Sequence, residues 1–189
     1  MISNQLSVSS EQYFAKGANM KEKINDSKSK AFDFQLEMLK TEIQIIDKAI
    51  ARLDEMTQTT KNWAILIWTG SVGLALGQKD LQEYLIFTAI VPFLFWLIDA
   101  RWRYFLRGFI WREDEIANFI NGNALENAIN EKDLKGLRVL DPRGAEYRDK
   151  KEFKKKVNFL RSMKYPEVFL VYVGMMLMSI GMGIFFILR

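Results

Sequence analysis

The chain has 189 residues, a formal net charge of +4, no His and no Cys, with a mean hydropathy of −0.07. The length is that of one ordinary domain. Disulfides, thiolate or imidazole metal sites, and Ser-His or Cys-His pairs are therefore excluded, and only carboxylates, Lys, Tyr, Ser and Thr remain as candidate catalysts.

The near-zero hydropathy averages two kinds of sequence, three long uncharged runs and several heavily charged segments. Residues 1–29 are polar, rich in Ser, Asn and Lys and weakly patterned, and are expected to be a mobile leader with room for a short helix. They carry neither a charged n-region nor an apolar h-region, so no cleaved signal peptide is expected.

From residue 30 the pattern sharpens. Phe32, Leu36, Leu39, Ile43, Ile46, Ile50 and Leu53 alternate at spacings of four and three. This is a heptad seam with Leu36, Ile43 and Ile50 at a and Phe32, Leu39, Ile46 and Leu53 at d. No Gly or Pro occurs from Lys21 to Thr69. The seam is thus expected to run through Thr57 and Thr60 into the first apolar run, as a helix from Lys30 to Gly77 about 70 Å long. Two packings suit it equally: a coiled coil between copies, or an amphipathic helix folded against the chain's own cytoplasmic helices.

Trp63–Gly77 and Tyr84–Ile98 are uncharged runs of fifteen residues, about 22 Å each as α-helix. They are short for a span and need Asn62, Gln78, Leu81 and Ala100, with Lys61 and Arg101 snorkelling at the ends. The six-residue linker Gln78–Glu83 makes them an antiparallel hairpin. Trp63, Trp68, Tyr84 and Trp96 stand towards run ends, as interfacial aromatics do. Pro92 falls inside the second run and is expected to kink it, with gating as one use of such a kink.

Beyond Asp99, the segment from Arg101 mixes basic and bulky apolar residues, with Trp102, Phe105, Phe109, Ile116 and Phe119 as one stripe. That stripe suits packing on the Phe32–Leu53 helix. Arg101, Arg107, Lys154, Lys155 and Lys156 suit anionic lipid headgroups. Direct nucleic-acid binding is disfavoured, because these bases adjoin the membrane. Asn121-Gly122 ends the helix, Ala124–Leu137 reads as a short helix, and Asp141-Pro142-Arg143-Gly144 as a turn. A basic helix from about Glu146, with Val157 and Leu160 on its apolar side, leads to Pro166. Val168–Leu188 then runs twenty-one residues without a charge, about 30 Å, a bilayer core.

The expectation is an all-α membrane protein. It divides into a leader (1–29), a heptad-patterned cytoplasmic helix (30–61), a transmembrane hairpin (62–100), a basic cytoplasmic helical region (101–165) and a third transmembrane helix (166–189). Nine Lys and Arg precede the hairpin, one sits at its tip, sixteen lie in 99–165 and one ends the chain. The positive-inside rule then places the N-terminus in the cytoplasm and the C-terminus outside.

Site chemistry is sparse. Glu113, Asp114 and Glu115 lack convergent ligands from another element and read as a solvated face. Asp99 at the cytoplasmic boundary is expected to pair with Arg103 one turn on, as a structural anchor. No charge lies near the middle of any run, so neither a coupled transporter nor an intramembrane enzyme is expected, and no cofactor or metal is implied. Gly73 and Gly77, with Gly70 nearby, form a GxxxG, and Ser179 and Gly183 repeat small-xxx-small. Both are helix-packing or oligomerisation signals.

The stretch Ile46–Ile120 resembles the SLATT-type small membrane proteins of bacteria. Lys61-Asn62-Trp63 matches their Lys-x-Trp hairpin entry. Pro92, Phe95, Trp96, Asp99 and Ala100 match a Pro-x-x-Phe-Trp-x-x-Asp-Ala signature followed by an Arg-rich aromatic helix. The resemblance covers about two fifths of the chain, and the third run departs from a two-span pattern. It implies a membrane effector of bacterial conflict systems that forms pores when a linked sensor is triggered. With the heptad seam and the small-residue faces, the expectation is a homo-oligomeric inner-membrane protein of the antiviral-defence type. A membrane scaffold recruiting a soluble cytoplasmic protein is the other expectation.

Overall fold

The computed structural model describes the backbone of residues 3–142 and 148–189, with side chains at Met20 and from residue 22 onward. Its elements are α1 (Ser3–Gly77), a 3-10 helix (Lys79–Ala89), α2 (Ile90–Ile120), α3 (Asn123–Glu131), α4 (Lys151–Lys156), α5 (Phe159–Met163) and α6 (Pro166–Ile187). No strand occurs among the described residues. Arg143, Gly144 and Glu146, expected in a turn and at the start of the basic helix, lie outside them.

The residues read as a mobile leader belong instead to α1, from Ser3 onward. Once a helix is nucleated, each added residue gains a hydrogen bond for little further cost. Gly17 alone, at about 1 kcal/mol relative to Ala, does not interrupt it.

The chain divides into two compact units, Met1–Gln44 with Asp114–Asp141, and Ile45–Glu113 with Pro142–Arg189. In the first unit, Phe32, Leu39, Ile116, Phe119, Ala128, Leu134 and Leu137 are buried. Gly122 opens α3 where a β-carbon would stand 2.9 Å from the Asn118 carbonyl oxygen. Lys132, left-handed at φ 53°, closes that helix, so it stops short of the expected Leu137. The strand-less segment that follows is tied to α1 by two side chains. Gln35 Oε1 accepts from the Leu134 N–H at 3.4 Å, and the fully buried Glu42 accepts from the Leu140 N–H at 2.7 Å.

In the second unit the same seam continues along α1 through the buried Ile46, Leu53, Thr57, Thr60, Ala64 and Ala75. The d positions are thus buried by the chain's own residues in both units, while Leu36, Ile43 and Ile50 at a are half-buried. Ala64, Val168 and Tyr172 form one core cluster, flanked by Phe95, Trp96 and Tyr165. Phe153 and Val157 form another, under Tyr104 and Trp111.

The expected six-residue turn contracts to Gln78, which is extended (φ −125°, ψ 115°), and the next eleven residues form the 3-10 helix. Gln82 Nε2 reaches back to the Leu76 carbonyl at 3.3 Å, satisfying one of the carbonyls that end α1. Pro92 is consequently in the first turn of α2, not within a longer α-helix. It lies inside the continuous helical segment Lys79–Ile120, just after the 3-10 winding gives way to α winding, and without an N–H it offers no donor to the carbonyls one turn back in the 3-10 helix. The 3-10 rise of about 2.0 Å per residue also lengthens the short second run by about 3 Å over six residues.

The basic segment forms two short helices rather than one. Val157, at φ −104° and ψ 88°, ends α4, and the Asn158 side chain caps α5 by accepting from the Leu160 N–H at 2.9 Å. Pro166 then starts α6 with Glu167 in its first turn, a favourable pairing of rigid φ and helix dipole. Two helical segments, Lys79–Ile120 and Lys151–Ile187, are long and apolar enough to cross a membrane. Trp63–Gly77 does not meet that measure and forms the end of α1.

Candidate functional site

The outer faces of all three apolar runs are bare. Leu66, Leu74, Phe87, Leu94, Leu170, Leu177 and Phe185 are among the exposed large side chains. A Leu or Phe side chain left in water forgoes about 1.5–3 kcal/mol, so a surface of this kind suits lipid or a partner rather than water.

Polar groups gather on the inner side. Ser179, fully buried in α6, accepts from Trp68 Nε1 of α1 at 2.8 Å and donates to the Met175 carbonyl at 3.1 Å. The Thr88 hydroxyl of the 3-10 helix lies 2.9 Å from Ser179 Oγ and 2.6 Å from the Leu85 carbonyl. One hydroxyl thus joins residues from all three runs. One turn on, Gly183 touches the 3-10 helix so closely that a β-carbon would stand 2.8 Å from the Ile86 nitrogen and 3.0 Å from its Cα. The close approach expected of Ser179 and Gly183 is present. At Gly70, Gly73 and Gly77 an added β-carbon would meet nothing within 4 Å, so that face is open among the described residues.

At the other end of these runs, Asp99 is completely buried. The expected Asp99–Arg103 pair is absent. Arg103 instead bonds Glu167 at the start of α6, Nη2 to Oε2 at 2.9 Å, and acts on Asp99 only as a nearby charge. Arg103 is therefore an anchor, but between helices. Asp99 lies beside the buried Tyr172, with Lys61 and Arg103 supplying positive charge around it. Neither its oxygens nor the Tyr172 hydroxyl make a hydrogen bond among the described residues. Trp96 Nε1 donates to the Met163 carbonyl at 3.1 Å, holding α5 to the end of the second run, and its ring meets Phe169 edge-on at 6.0 Å.

The five expected headgroup residues fall into different places. Arg101 lies over the Phe105 and Tyr104 rings, at 4.7 and 5.6 Å, and lines a shallow apolar hollow with Leu97, Ile98, Trp102 and Phe159. Lys154 pairs with Asp149 at 3.0 Å. Arg107, Lys155 and Lys156 share a groove with Arg161 and Tyr165. The aromatic stripe also splits: Phe105 and Phe109 line a cleft with Phe153 and Val157, while Ile116 and Phe119 are buried in the first unit.

Sequence reasoning read Trp68 as an interfacial aromatic, whereas it donates to the buried Ser179, and it passed over Thr88, Tyr172, Glu167 and Glu42. The first two carried a usable signal, as hydrogen-bonding side chains inside uncharged runs. The others did not, since their partners lie far away in sequence. Compared with protein-family models, with curated proteins and with solved structures, the chain matches none.

Proposed function

We propose that the chain is a three-span bacterial inner-membrane protein, N-terminus inside, that acts without enzymatic chemistry. Its cytoplasmic helices receive a signal, and its assembled spans perturb or permeabilise the membrane. The observation that carries this reading is the meeting of Trp68, Thr88 and Ser179 on one buried hydroxyl, inside a unit whose outer faces are apolar. It sets the run Trp63–Gly77 beside the two segments long enough to cross, so that a stretch too short alone is carried across with them. The pore is formed between copies, and the exposed Gly70, Gly73 and Gly77 face is where they approach. The resemblance of Ile46–Ile120 to SLATT-type effectors agrees with this reading.

The test is dye release from liposomes holding the full chain at rising protein-to-lipid ratio, with membrane potential followed in parallel. Leakage growing more steeply than protein density is expected. Intact vesicles and an unchanged potential at every density would overturn the effector reading.

A scaffold that recruits a soluble protein is the second reading, favoured by the exposed Ile24, Phe34 and Ile45 on α1. Deleting residues 1–60 separates the two, because a scaffold loses its partner in a pull-down while its membrane insertion persists.

A further inference from the structure

Arg107, Glu152, Lys155, Lys156, Arg161 and Tyr165 line one open groove of the second unit, where four cations face one carboxylate. Among the described residues, no carboxylate lies within ion-pair distance of Arg107, Lys155 or Arg161. Two of the cations are held by rings instead. The Arg107 guanidinium lies 4.5 Å from the centre of the Tyr165 ring, and Lys156 Nζ 4.9 Å from that of Trp111. Such stacking orients a guanidinium while leaving its N–H edge available to an anion. Four cations against one carboxylate among the described residues leave an excess of positive charge that calls for an anion from outside the chain.

The level of the groove narrows the choice. Tyr165 immediately precedes Pro166, the first residue of α6, and α5 is fixed to the end of the second run through Trp96 and Met163. The Arg107 side chain leans back along α2 towards that same level, as helical side chains do. The groove therefore opens where the second apolar run ends and the third begins, which the membrane reading puts at headgroup depth.

The geometry points to a phosphate-bearing anionic lipid headgroup as the ligand of this groove. Its phosphodiester is gripped by Arg107, Lys155 and Arg161, with Tyr165 as a floor. Guanidinium forks match the paired oxygens of a phosphate. A zwitterionic choline headgroup brings its own cation into a ring of four and is disfavoured. This assignment rests on the membrane reading above, which supplies the lipid.

The experiment uses the full chain in detergent micelles and native mass spectrometry. The probes are phosphatidylglycerol, phosphatidylcholine and inorganic phosphate. Retention of phosphatidylglycerol over phosphatidylcholine is expected. Replacing two charges, Lys155→Gln with Arg161→Gln, should lower retention about thirtyfold, at about fivefold per surface charge. Arg161→Lys, which keeps the charge but loses the fork, should retain more than Arg161→Gln and less than the unaltered chain, and Lys154→Gln, whose lysine pairs with Asp149 outside the groove, should change nothing. Equal loss with Lys154→Gln would overturn the groove in favour of diffuse charge. Displacement of the lipid by equimolar inorganic phosphate would overturn the lipid assignment in favour of a soluble phosphate. Insertion is read separately, by carbonate washing of membranes: a chain that washes off refutes the membrane reading whatever it binds in detergent.

Discussion

Two faces of the second unit carry the same spacing of small residues and are used in opposite ways. On α6, Ser179 and Gly183 are buried against the 3-10 helix, with Gly183 in backbone contact with Ile86. On α1, Gly73 and Gly77, with Gly70 above them, look onto open space. Small-xxx-small spacing permits a close approach but does not say whose backbone will approach. In α6 the partner is eleven residues of 3-10 helix, narrower than an α-helix and pinned by the Thr88 and Trp68 contacts to Ser179. On α1 none of the described residues takes that place.

The sharpest way to break this comparison is to add bulk on each side. Gly183→Leu forces side-chain atoms into the Ile86 backbone and should cost about 3 kcal/mol, at the upper end of overpacking. Gly73→Leu should leave monomer unfolding within about 0.5 kcal/mol and instead change the mass of the detergent-solubilised complex. Denaturant unfolding in micelles reads the first effect and light scattering the second. Equal destabilisation by both would mean that the α1 face is packed after all.

Next in size is Ser179→Ala, which removes the shared hydroxyl. Hydrogen bonds between membrane helices average about 0.6 kcal/mol and reach about 1.7, and the upper part of that range is expected because Trp68 Nε1 is left without its acceptor, while Thr88 keeps the Leu85 carbonyl. Trp68 emission should shift as its Nε1 loses its acceptor, and an unchanged spectrum would contradict the geometry.

Smaller still is the coupling of Arg103 to Glu167. The Glu167 side chain is 73% exposed, so a double-mutant cycle of Arg103→Gln and Glu167→Gln should give about 0.2–1 kcal/mol. The same cycle run with Asp99→Asn in place of Glu167→Gln asks whether Arg103 serves Asp99 chiefly as a nearby charge or as a direct partner. A larger direct coupling there would restore the helix-internal pair.

The smallest effect belongs to α3. Glu131 is held below the usual carboxylate range by its hydrogen bond from Lys135 at 2.8 Å and by that lysine's charge. A depressed folded-state value contributes stability above the unfolded one, and that contribution is lost as pH falls through the folded value. Carboxylate chemical shifts should show Glu131 titrating below a free Glu, and Lys135→Gln should abolish the difference. Both side chains are open to water, so overall stability should barely register the change.

Legibility differed by element for physical reasons. The d positions Phe32, Leu39, Ile46 and Leu53 were readable because a seven-residue repeat on a helix is a local geometric fact, and all four are buried. The breaker-free stretch after Lys21 was readable too, yet the leader before it was judged by polarity, which does not stop a helix once begun. Pro92 was readable as a local disturbance of the second run, but the 3-10 winding up to Ala89 that precedes it could not be seen in composition. Asp99 and Arg103 lie one turn apart, but Glu167, sixty-four residues on, wins the guanidinium. Of five basic residues assigned to headgroups, three share a groove, because an arginine's direction is set by the ring or carboxylate it meets.

Sequence by itself determined the helical class, the long apolar runs, the gathering of Lys and Arg between them, and the absence of His and Cys chemistry. These follow from composition and from periods of three and a half to four residues, which are local. Tertiary structure alone decided which small-residue face is filled, which cations converge beside Tyr165, and which hydroxyl gathers residues from all three runs. Those depend on contacts across scores of residues, where no local rule selects the partner.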